Sequence, residues 1–294
     1  LRGGYAVEWC DLAFVPDWRA ALMGAMGPVP PLAVGVSIRN LDDAYFASQE
    51  FILEKTVSII RFIKRLTAAP IVLGGVGFSI APAEVLQYTG ADYGIAGDGE
   101  EAFPAMLERI EAGRPVADVP GAVYPRAGGG IAVNGFAECD TVELPGRRRF
   151  ADHKRYFAEG GQAGVETKRG CARRCVYCVE PHAKGGGVRL RPPARVADEM
   201  AMLLDHGVDV FHLCDSEFNL PPEHAHAVCA AFHKRGIAKR IRWYAYNYPA
   251  PFDADLARAM ARAGCVGVNF GVDHAVPSLL RRLGRDYGPE AIRG

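Results

Sequence analysis

Ile71-Val72-Leu73-Gly74-Gly75 decides how the first half of the chain is read, because three large apolar residues in a row are closed by paired glycines. A run that short is a buried strand, and the glycines mark its turn. Upstream, Leu32 to Ile38 is another mostly apolar run, and between the two the stretch from Phe51 to Leu66 places Ile52, Ile59, Ile63 and Leu66 at helical spacing. Downstream, Tyr93 to Ala96 repeats the strand pattern, ends at Gly97-Asp98-Gly99 and leads into a helix from Glu100 to Glu111. Short strands alternating with helices predict an α/β, Rossmann-like domain with a parallel, doubly wound sheet. Ligands of such sheets sit at the carboxyl ends of the strands, where these glycines fall.

Residues 114–160 break the alternation with Pro115, Pro120, Pro125, Pro145 and the run Gly128-Gly129-Gly130. They predict a small hairpin, Ala122 to Tyr124 against Ile131 to Val133, followed by a linker. The basic cluster Arg147-Arg148-Arg149 reads as a solvated connector in preference to a phosphate site. The alternation then returns. A helix from Ala194 to His206 is followed by a strand from Val208 to Leu213, and a helix from Glu223 to Lys234 buries Ala225, Val228, Cys229 and Phe232. A strand from Ile241 to Tyr246, a helix capped by Asp253, a strand from Val266 to Phe270 and a helix opening at Pro277 complete the run. This is a partial, TIM-like (β/α) barrel of about four units, with its chemistry expected at the strand mouths. The expected division is therefore 1–113, 114–160 and 161–294. The chain starts without Met at Leu1, reads there as a helix tail running into a strand at Ala6 to Trp9, and is expected to be cut at both ends.

The 294 residues are 49% hydrophobic, enough for about two domains. Lys plus Arg (34) balances Asp plus Glu (34), so no electrostatic footprint of a general nucleic-acid binder is expected, and small-molecule or peptide substrates are favoured. No stretch has the apolar length of a membrane span. Of the eight cysteines, three crowd into Cys171 to Cys178 while Cys10, Cys139, Cys214, Cys229 and Cys265 are scattered. That pattern points to metal ligation in a reducing, cytoplasmic compartment.

The crowded cysteines lie in Lys168-Arg169-Gly170-Cys171-Ala172-Arg173-Arg174-Cys175-Val176-Tyr177-Cys178, spaced C-x3-C-x2-C. Soft thiolates suit an iron–sulfur cluster or zinc, and three on one loop can take three irons of a cube. A closed zinc site needs a fourth protein ligand, for which His182 is the nearest candidate. The loop, with Tyr177 in its aromatic position, resembles the signature of the radical S-adenosylmethionine superfamily. That resemblance implies a [4Fe–4S] cluster on Cys171, Cys175 and Cys178 whose open iron chelates S-adenosylmethionine. It also implies an external electron donor such as flavodoxin or ferredoxin.

By order along the chain, Asp215-Ser216-Glu217 stands where the family has Gly-Gly-Glu, which implies that Glu217 accepts from the methionine ammonium, with Asp215, Ser216 and Asn219 beside it. Asn247 falls where ribose sits, and Asp273 where the family has an acidic residue near the adenosyl group. Helix capping is the alternative for Asp215, Glu217 and Asn219. His182, Tyr244, Tyr246 and His274 are either substrate contacts or ordinary rim residues.

The first half resembles the cobalamin-binding domain that precedes the barrel in one large subclass of this superfamily. The resemblance is carried by Gly35-Val36-Ser37-Ile38-Arg39-Asn40, by Val72 to Ser79, and by Ala91 to Glu101. It implies that Ser37, Asn40, Gly74, Gly75, Gly77, Ser79, Gly97, Asp98, Gly99 and Glu100 face the cobalamin, the glycines letting backbone approach it; plain turn geometry is the other reading. The segment that would carry an axial His lies ahead of Leu1. The implied reaction is methyl transfer to an unactivated carbon of a natural-product or cofactor precursor. A rearrangement or cyclisation, or a metal-stabilised binding module, are the other readings.

Overall fold

The computed structural model describes residues 4–43, 45–139 and 150–293. The Arg147-Arg148-Arg149 cluster, Pro145 and Leu1 to Gly3 lie outside the described residues. The chain folds into two units, residues 1–139 with 182–185 and residues 140–181 with 186–294.

The first unit opens, after a segment at Ala6 to Trp9 that is not the expected strand, with α1 (Trp18–Ala25), capped by the Asp17 carboxylate. The alternation follows as read: β1 (Val34–Ser37), α2 (Leu53–Leu66), β2 (Ile71–Gly74), α3 (Val76–Ile80), α4 (Pro82–Thr89), β3 (Tyr93–Ile95) and α5 (Gly99–Glu111). β1, β2 and β3 pair in parallel. Successive residues of β2 serve opposite faces, as strand geometry requires: Ile71 and Leu73 join a core with Leu53, Ile60 and Ile63 of α2, and Val72 joins one with Ala102 and Met106 of α5.

Two details differ from the sequence reading. The buried face of α2 is Leu53, Val57, Ile60 and Ile63, in place of Ile52, Ile59, Ile63 and Leu66. The hairpin β4 (Ala122–Pro125) and β5 (Ile131–Val133) forms where expected, and it adds to the sheet of this unit. β4 pairs antiparallel with β3, so the sheet is mixed, in the order β1-β2-β3-β4-β5. Ala122 and Val123 are fully buried, which anchors the hairpin as part of this unit.

The second unit contains α6 (His153–Gly160), β6 (Ala163–Val165), β7 (Lys168–Arg169) and, beyond the cysteine loop and the short α7 (Glu180–Lys184), β8 (Arg189–Leu190). Then come α8 (Pro193–Asp205), β9 (Val210–Leu213), α9 (Pro222–Lys234), β10 (Arg242–Asn247), α10 (Ala254–Arg262), β11 (Cys265–Phe270), α11 (Pro277–Arg282) and α12 (Glu290–Arg293). β6, β9, β10 and β11 make one parallel sheet in sequence order, the open arc of a barrel. Phe211, Leu213, Trp243 and Ala245 pack outward on α8, α9 and α10. Trp243 is fully buried because its indole N–H donates to the Ala263 carbonyl at 2.8 Å. His212, Tyr244 and Tyr246 alternate to the inner face, where His212 stacks on Tyr244 with centroids 4.5 Å apart.

β6 precedes the cysteine loop and was not legible in the sequence. A Cβ at its Gly164 would lie 2.7 Å from the Cys214 sulfur, so a larger residue there would displace that side chain. Among the described residues no helix is long and apolar enough to cross a membrane.

Candidate functional site

The cysteine loop follows β7 and is tied to the opposite end of the unit by its backbone, Val176 N–H donating to the Leu283 carbonyl at 3.1 Å. Within it Cys178 N–H donates to the Cys175 carbonyl at 3.0 Å, a turn that brings the last two cysteines together. Burial pushes the Cys171 thiol up to about 11; the Arg173 backbone N–H offsets this, and the charges of Glu217 and Cys178 add to it. Burial likewise raises Cys175, whose neighbours include Cys178 and Glu217. The three thiols therefore share one electrostatic neighbourhood. Among the described residues no three His, Cys, Asp or Glu side chains converge on a point as one ion would need. Three thiolates on one loop can each take a different iron of a cube.

Glu217 lies beside the cysteine loop. Its carboxylate is 3.7 Å from the Cys171 sulfur and 3.7 Å from Arg173 Nε, loosely held, with the side chain 14% exposed. Its backbone is fixed separately. The buried Lys168 ammonium donates to the carbonyls of Glu217 and Leu220, and Leu220 N–H donates to the Glu217 carbonyl at 3.2 Å. Burial depresses the pKa of Lys168, and also that of His224, whose Nε2 lies 3.0 Å from the Thr167 carbonyl.

The residues flanking Glu217 have other work. Asp215 is buried and accepts from Thr167 N–H at 2.7 Å, from the Thr167 hydroxyl at 2.5 Å and from Lys168 N–H at 3.2 Å. It staples the β9 mouth to the strand that feeds the cysteine loop, and is not available to a ligand as its sequence position suggested. Ser216 donates to Glu180 at 2.8 Å. Asn219, fully buried, donates to the carbonyls of Tyr248 (3.0 Å) and Pro251 (2.7 Å) and accepts from Tyr248 N–H at 2.8 Å. It joins two loops and caps no helix. Asn247 points outward between the strand and α10, its amide nitrogen 4.0 Å from the Met260 sulfur and its Oδ1 buried without a hydrogen-bond partner, so it does not face the mouth. Asp273 accepts from the Tyr177 hydroxyl at 2.7 Å and pairs with Arg285. Burial and that hydrogen bond raise the Tyr177 pKa.

Asp215→Ala leaves the buried donors on Thr167 and Lys168 unsatisfied, at about 1–3 kcal/mol each. The substitution is expected to lower the melting temperature even without cofactor, which thermal denaturation by circular dichroism checks.

In the first unit the glycines at the carboxyl ends of the strands separate into two kinds. At Gly75 (φ +95°) a Cβ would sit 2.6 Å from the Ile38 carbonyl, at Gly77 2.8 Å from the Arg39 carbonyl, and at Gly97 2.3 Å from the Ala137 carbonyl. These three are required by neighbouring backbone, not by a ligand. Gly74 and Gly99 have nothing within 4 Å and leave open backbone beside the exposed Ser37 and Asn40 and the half-buried Glu100. Ser79 is no ligand donor, since its hydroxyl donates to the Gly75 carbonyl and accepts from Gly97 N–H, both at 3.0 Å, clasping the two turns. Asp98 is buried and accepts from Cys139 N–H at 3.0 Å. The open backbone at Gly74 and Gly99 fits a flat ligand laid over the strand ends. A groove of about 490 Å3 lined by Asp92, Tyr93, Pro115 and Tyr124 lies at the other, amino end of β3.

Gly75→Val is therefore expected to destabilise the first unit with no ligand present, by more than about 1–3 kcal/mol because overpacking adds to the positive φ. Gly74→Ala is expected to keep its stability. Urea unfolding of the two variants compares them directly.

Residues 165–293 match the family model for the radical SAM superfamily, and residues 33–107 match that for the B12 binding domain. The tryptophan 2-C-methyltransferase of Streptomyces laurentii is 32% identical over 94% of this chain and 56% of that protein. Among solved structures, the radical S-adenosylmethionine methyltransferase TsrM from Kitasatospora setae, with tryptophan and a S-adenosylmethionine analogue bound, gives a TM-score of 0.85 at 35% identity, covering 94% of this chain and 56% of that one. TsrM with cobalamin and a [4Fe–4S] cluster bound gives 0.83 at 34%, covering 94% and 57%. The chain spans about half the length of these relatives.

Proposed function

Since the chain belongs to the radical S-adenosylmethionine superfamily, in its cobalamin-binding branch, we propose that it is an enzyme, or the cofactor-binding part of one, that methylates an unactivated carbon of a small molecule. The observation that carries the reading is the loosely held Glu217 carboxylate beside Cys171, on a loop whose three thiols share one neighbourhood.

Cys171, Cys175 and Cys178 would hold the [4Fe–4S] cluster and the first unit the cobalamin, which together supply one-electron chemistry on S-adenosylmethionine and a methyl carrier. Glu217 accepts from the ammonium of S-adenosylmethionine, a charge-assisted hydrogen bond. Lys168 and Asp215 keep the Glu217 loop against the cysteine loop through backbone groups and the Thr167 hydroxyl, so they orient without competing for the ligand. The backbone at Gly74 and Gly99, with Ser37, Asn40 and Glu100 beside it, receives the cobalamin. The stacked His212 and Tyr244, with Tyr246 at their edge, give the inner strand face a flat wall that suits an aromatic substrate such as the tryptophan of the relatives. Electrons come from a small redox protein of the flavodoxin or ferredoxin kind.

The test is anaerobic turnover with S-adenosylmethionine deuterated in its methyl group, tryptophan being the first substrate tried. A product that carries the intact labelled methyl on carbon supports methylation. A product of unchanged composition but altered connectivity would instead mark a rearrangement.

A further inference from the structure

We propose that the solvent-facing side of the cysteine loop is the docking surface for an acidic electron carrier that presents a flavin edge. Val176, Tyr177 and Val179 form its apolar centre, and Arg174, Arg281 and Arg282 its basic rim. The proposal rests on the cluster and electron-donor readings above.

Residues 174–179 carry two of the three thiols and also meet solvent. Val176 is 70% exposed, Tyr177 51% and Val179 48%, while Cys175 and Cys178 are half-buried among them. Three apolar side chains exposed within four residues form a patch, and an apolar patch rimmed by polar groups marks an interaction site. The end of α11 supplies part of the rim. Val176 N–H donates to the Leu283 carbonyl at 3.1 Å, and Gly284, at φ +77°, passes so near that a Cβ would lie 2.6 Å from the Arg174 carbonyl. The last turn of α11, with Arg281 and Arg282, is thereby brought to the cysteine loop.

The arginines at this corner divide by partner. Arg173 pairs with Asp286, and Arg285 pairs with Asp273 and donates to the Tyr177 hydroxyl. Arg174, Arg281 and Arg282 are exposed and form no ion pair among the described residues. Asp273 and Asp286 are thus spent, and three cations remain uncompensated. Arginines in the last turn of a helix also suit its dipole, but Arg174 is on no helix and α11 has only six residues. A rim of uncompensated cations steers an acidic protein toward it and repels a basic one. The apolar centre suits the flat hydrocarbon edge of a flavin ringed by carboxylates. Electron-transfer encounters are small, below about 1,200 Å2 of buried surface, so a loop and one helix turn are enough. One electron leaves the reduced flavin and enters the cluster; no bond forms or breaks. Because Val176 and Tyr177 stand between two cluster ligands in the chain, a carrier seated there is separated from the cluster by the loop alone.

The experiment takes the anaerobically reconstituted full chain, after iron and sulfide have been counted, and a purified bacterial flavodoxin as the probe. Calorimetric titration measures its affinity, and stopped-flow absorbance follows reduction of the cluster by its hydroquinone. Raising the ionic strength from about 0.01 to about 1 M, which shortens the screening length from about 30 to about 3 Å, is expected to weaken binding and slow reduction by about tenfold or more. Arg174→Glu combined with Arg281→Glu and Arg282→Glu is expected to do the same at low salt, with dithionite reduction, iron content and melting temperature at wild-type values. Equal affinity and rate in wild type and triple variant would overturn the proposal, as would a loss of rate shared with dithionite, the pattern of a damaged loop. A variant that altered only self-association on gel filtration would give the patch to a second copy of the chain and overturn it too. So would a cluster that a ferredoxin reduces and flavodoxin does not. If the triple variant fails to load iron, Arg281→Glu with Arg282→Glu alone decides, since those two residues lie off the cysteine loop. A wild-type chain that loads no cluster at all would instead refute the cluster reading, and this proposal with it.

Discussion

Replacing Cys171, Cys175 and Cys178 together by alanine is expected to take cluster iron from about four per chain to none after anaerobic reconstitution. Thiolates are the protein ligands of such a cube, and the three cysteines occupy a single turn-containing loop, pinned at Val176 to the Leu283 carbonyl. None of the other cysteines, Cys10, Cys139, Cys214, Cys229 and Cys265, belongs to that loop. The substitutions are expected to leave the fold intact, only Cys171 of the three being buried. None of the three side chains belongs to a core cluster, and the contacts that fix the loop are made by its backbone and by Arg173 and Tyr177. Iron and sulfide analysis, with circular dichroism as the folding control, checks both halves. A triple variant that retained the iron would place the cluster elsewhere.

Glu217→Gln is expected to weaken S-adenosylmethionine binding by about 1.5–3 kcal/mol, the worth of a hydrogen bond to a charged group, or roughly 10- to 150-fold in affinity. The carboxylate makes no close hydrogen bond of its own in the structure, with Cys171 and Arg173 both at 3.7 Å. The backbone beneath it is held by Lys168 and by Leu220 N–H, whose hydrogen bonds go to main-chain carbonyls and survive the change from acid to amide, although Lys168 loses the attraction of the Glu217 charge. The substitution thus removes charge at one point while keeping shape and loop, and melting temperature and iron content should not change. Titration of S-adenosylmethionine into the reduced protein, read from the cluster's paramagnetic signal, measures the difference. Equal affinities would remove Glu217 from the site. Asp215 could not inherit the role, because its oxygens already serve Thr167 and Lys168.

How far the sequence carried the fold is clear from particular elements. The long helices and the strands between them were legible because their apolar residues recur at one period over enough length; the buried stripe of α9 includes the four residues that spacing named, with His224 added to them. α2 was placed but turned wrongly. Ile52, Leu53, Ile59, Ile60, Phe62 and Ile63 surround its axis, so spacing alone leaves its phase open. β6 is three residues with a glycine in the middle, too short to alternate visibly. The hairpin was seen, but that it completes a sheet depends on β3, which no local pattern reveals.

The site was legible where chemistry is local and illegible where it is not. Three cysteines within one loop announce themselves. Asp215, Asn219, Ser79 and Gly75 have the residue types and strand-end positions of ligand contacts, and each is used by the chain itself, through partners remote in sequence such as Thr167 for Asp215 and Tyr248 for Asn219. Polar groups at strand mouths satisfy buried backbone as often as they meet ligands, and only the partner's position tells which. The same remoteness hid Lys168, His224 and Arg285. A lysine entering a cysteine loop gives no sign that it ends buried between two carbonyls, and an arginine after a helix gives none that it turns back onto Tyr177.

The central claim, that one chain carries both an iron–sulfur cluster and a cobalamin, is tested most directly by counting iron, sulfide and cobalt in the anaerobically reconstituted, gel-filtered protein. About four irons with matching sulfide and one cobalt per chain are predicted. A single zinc per chain, with neither sulfide nor cobalt retained, would contradict the account.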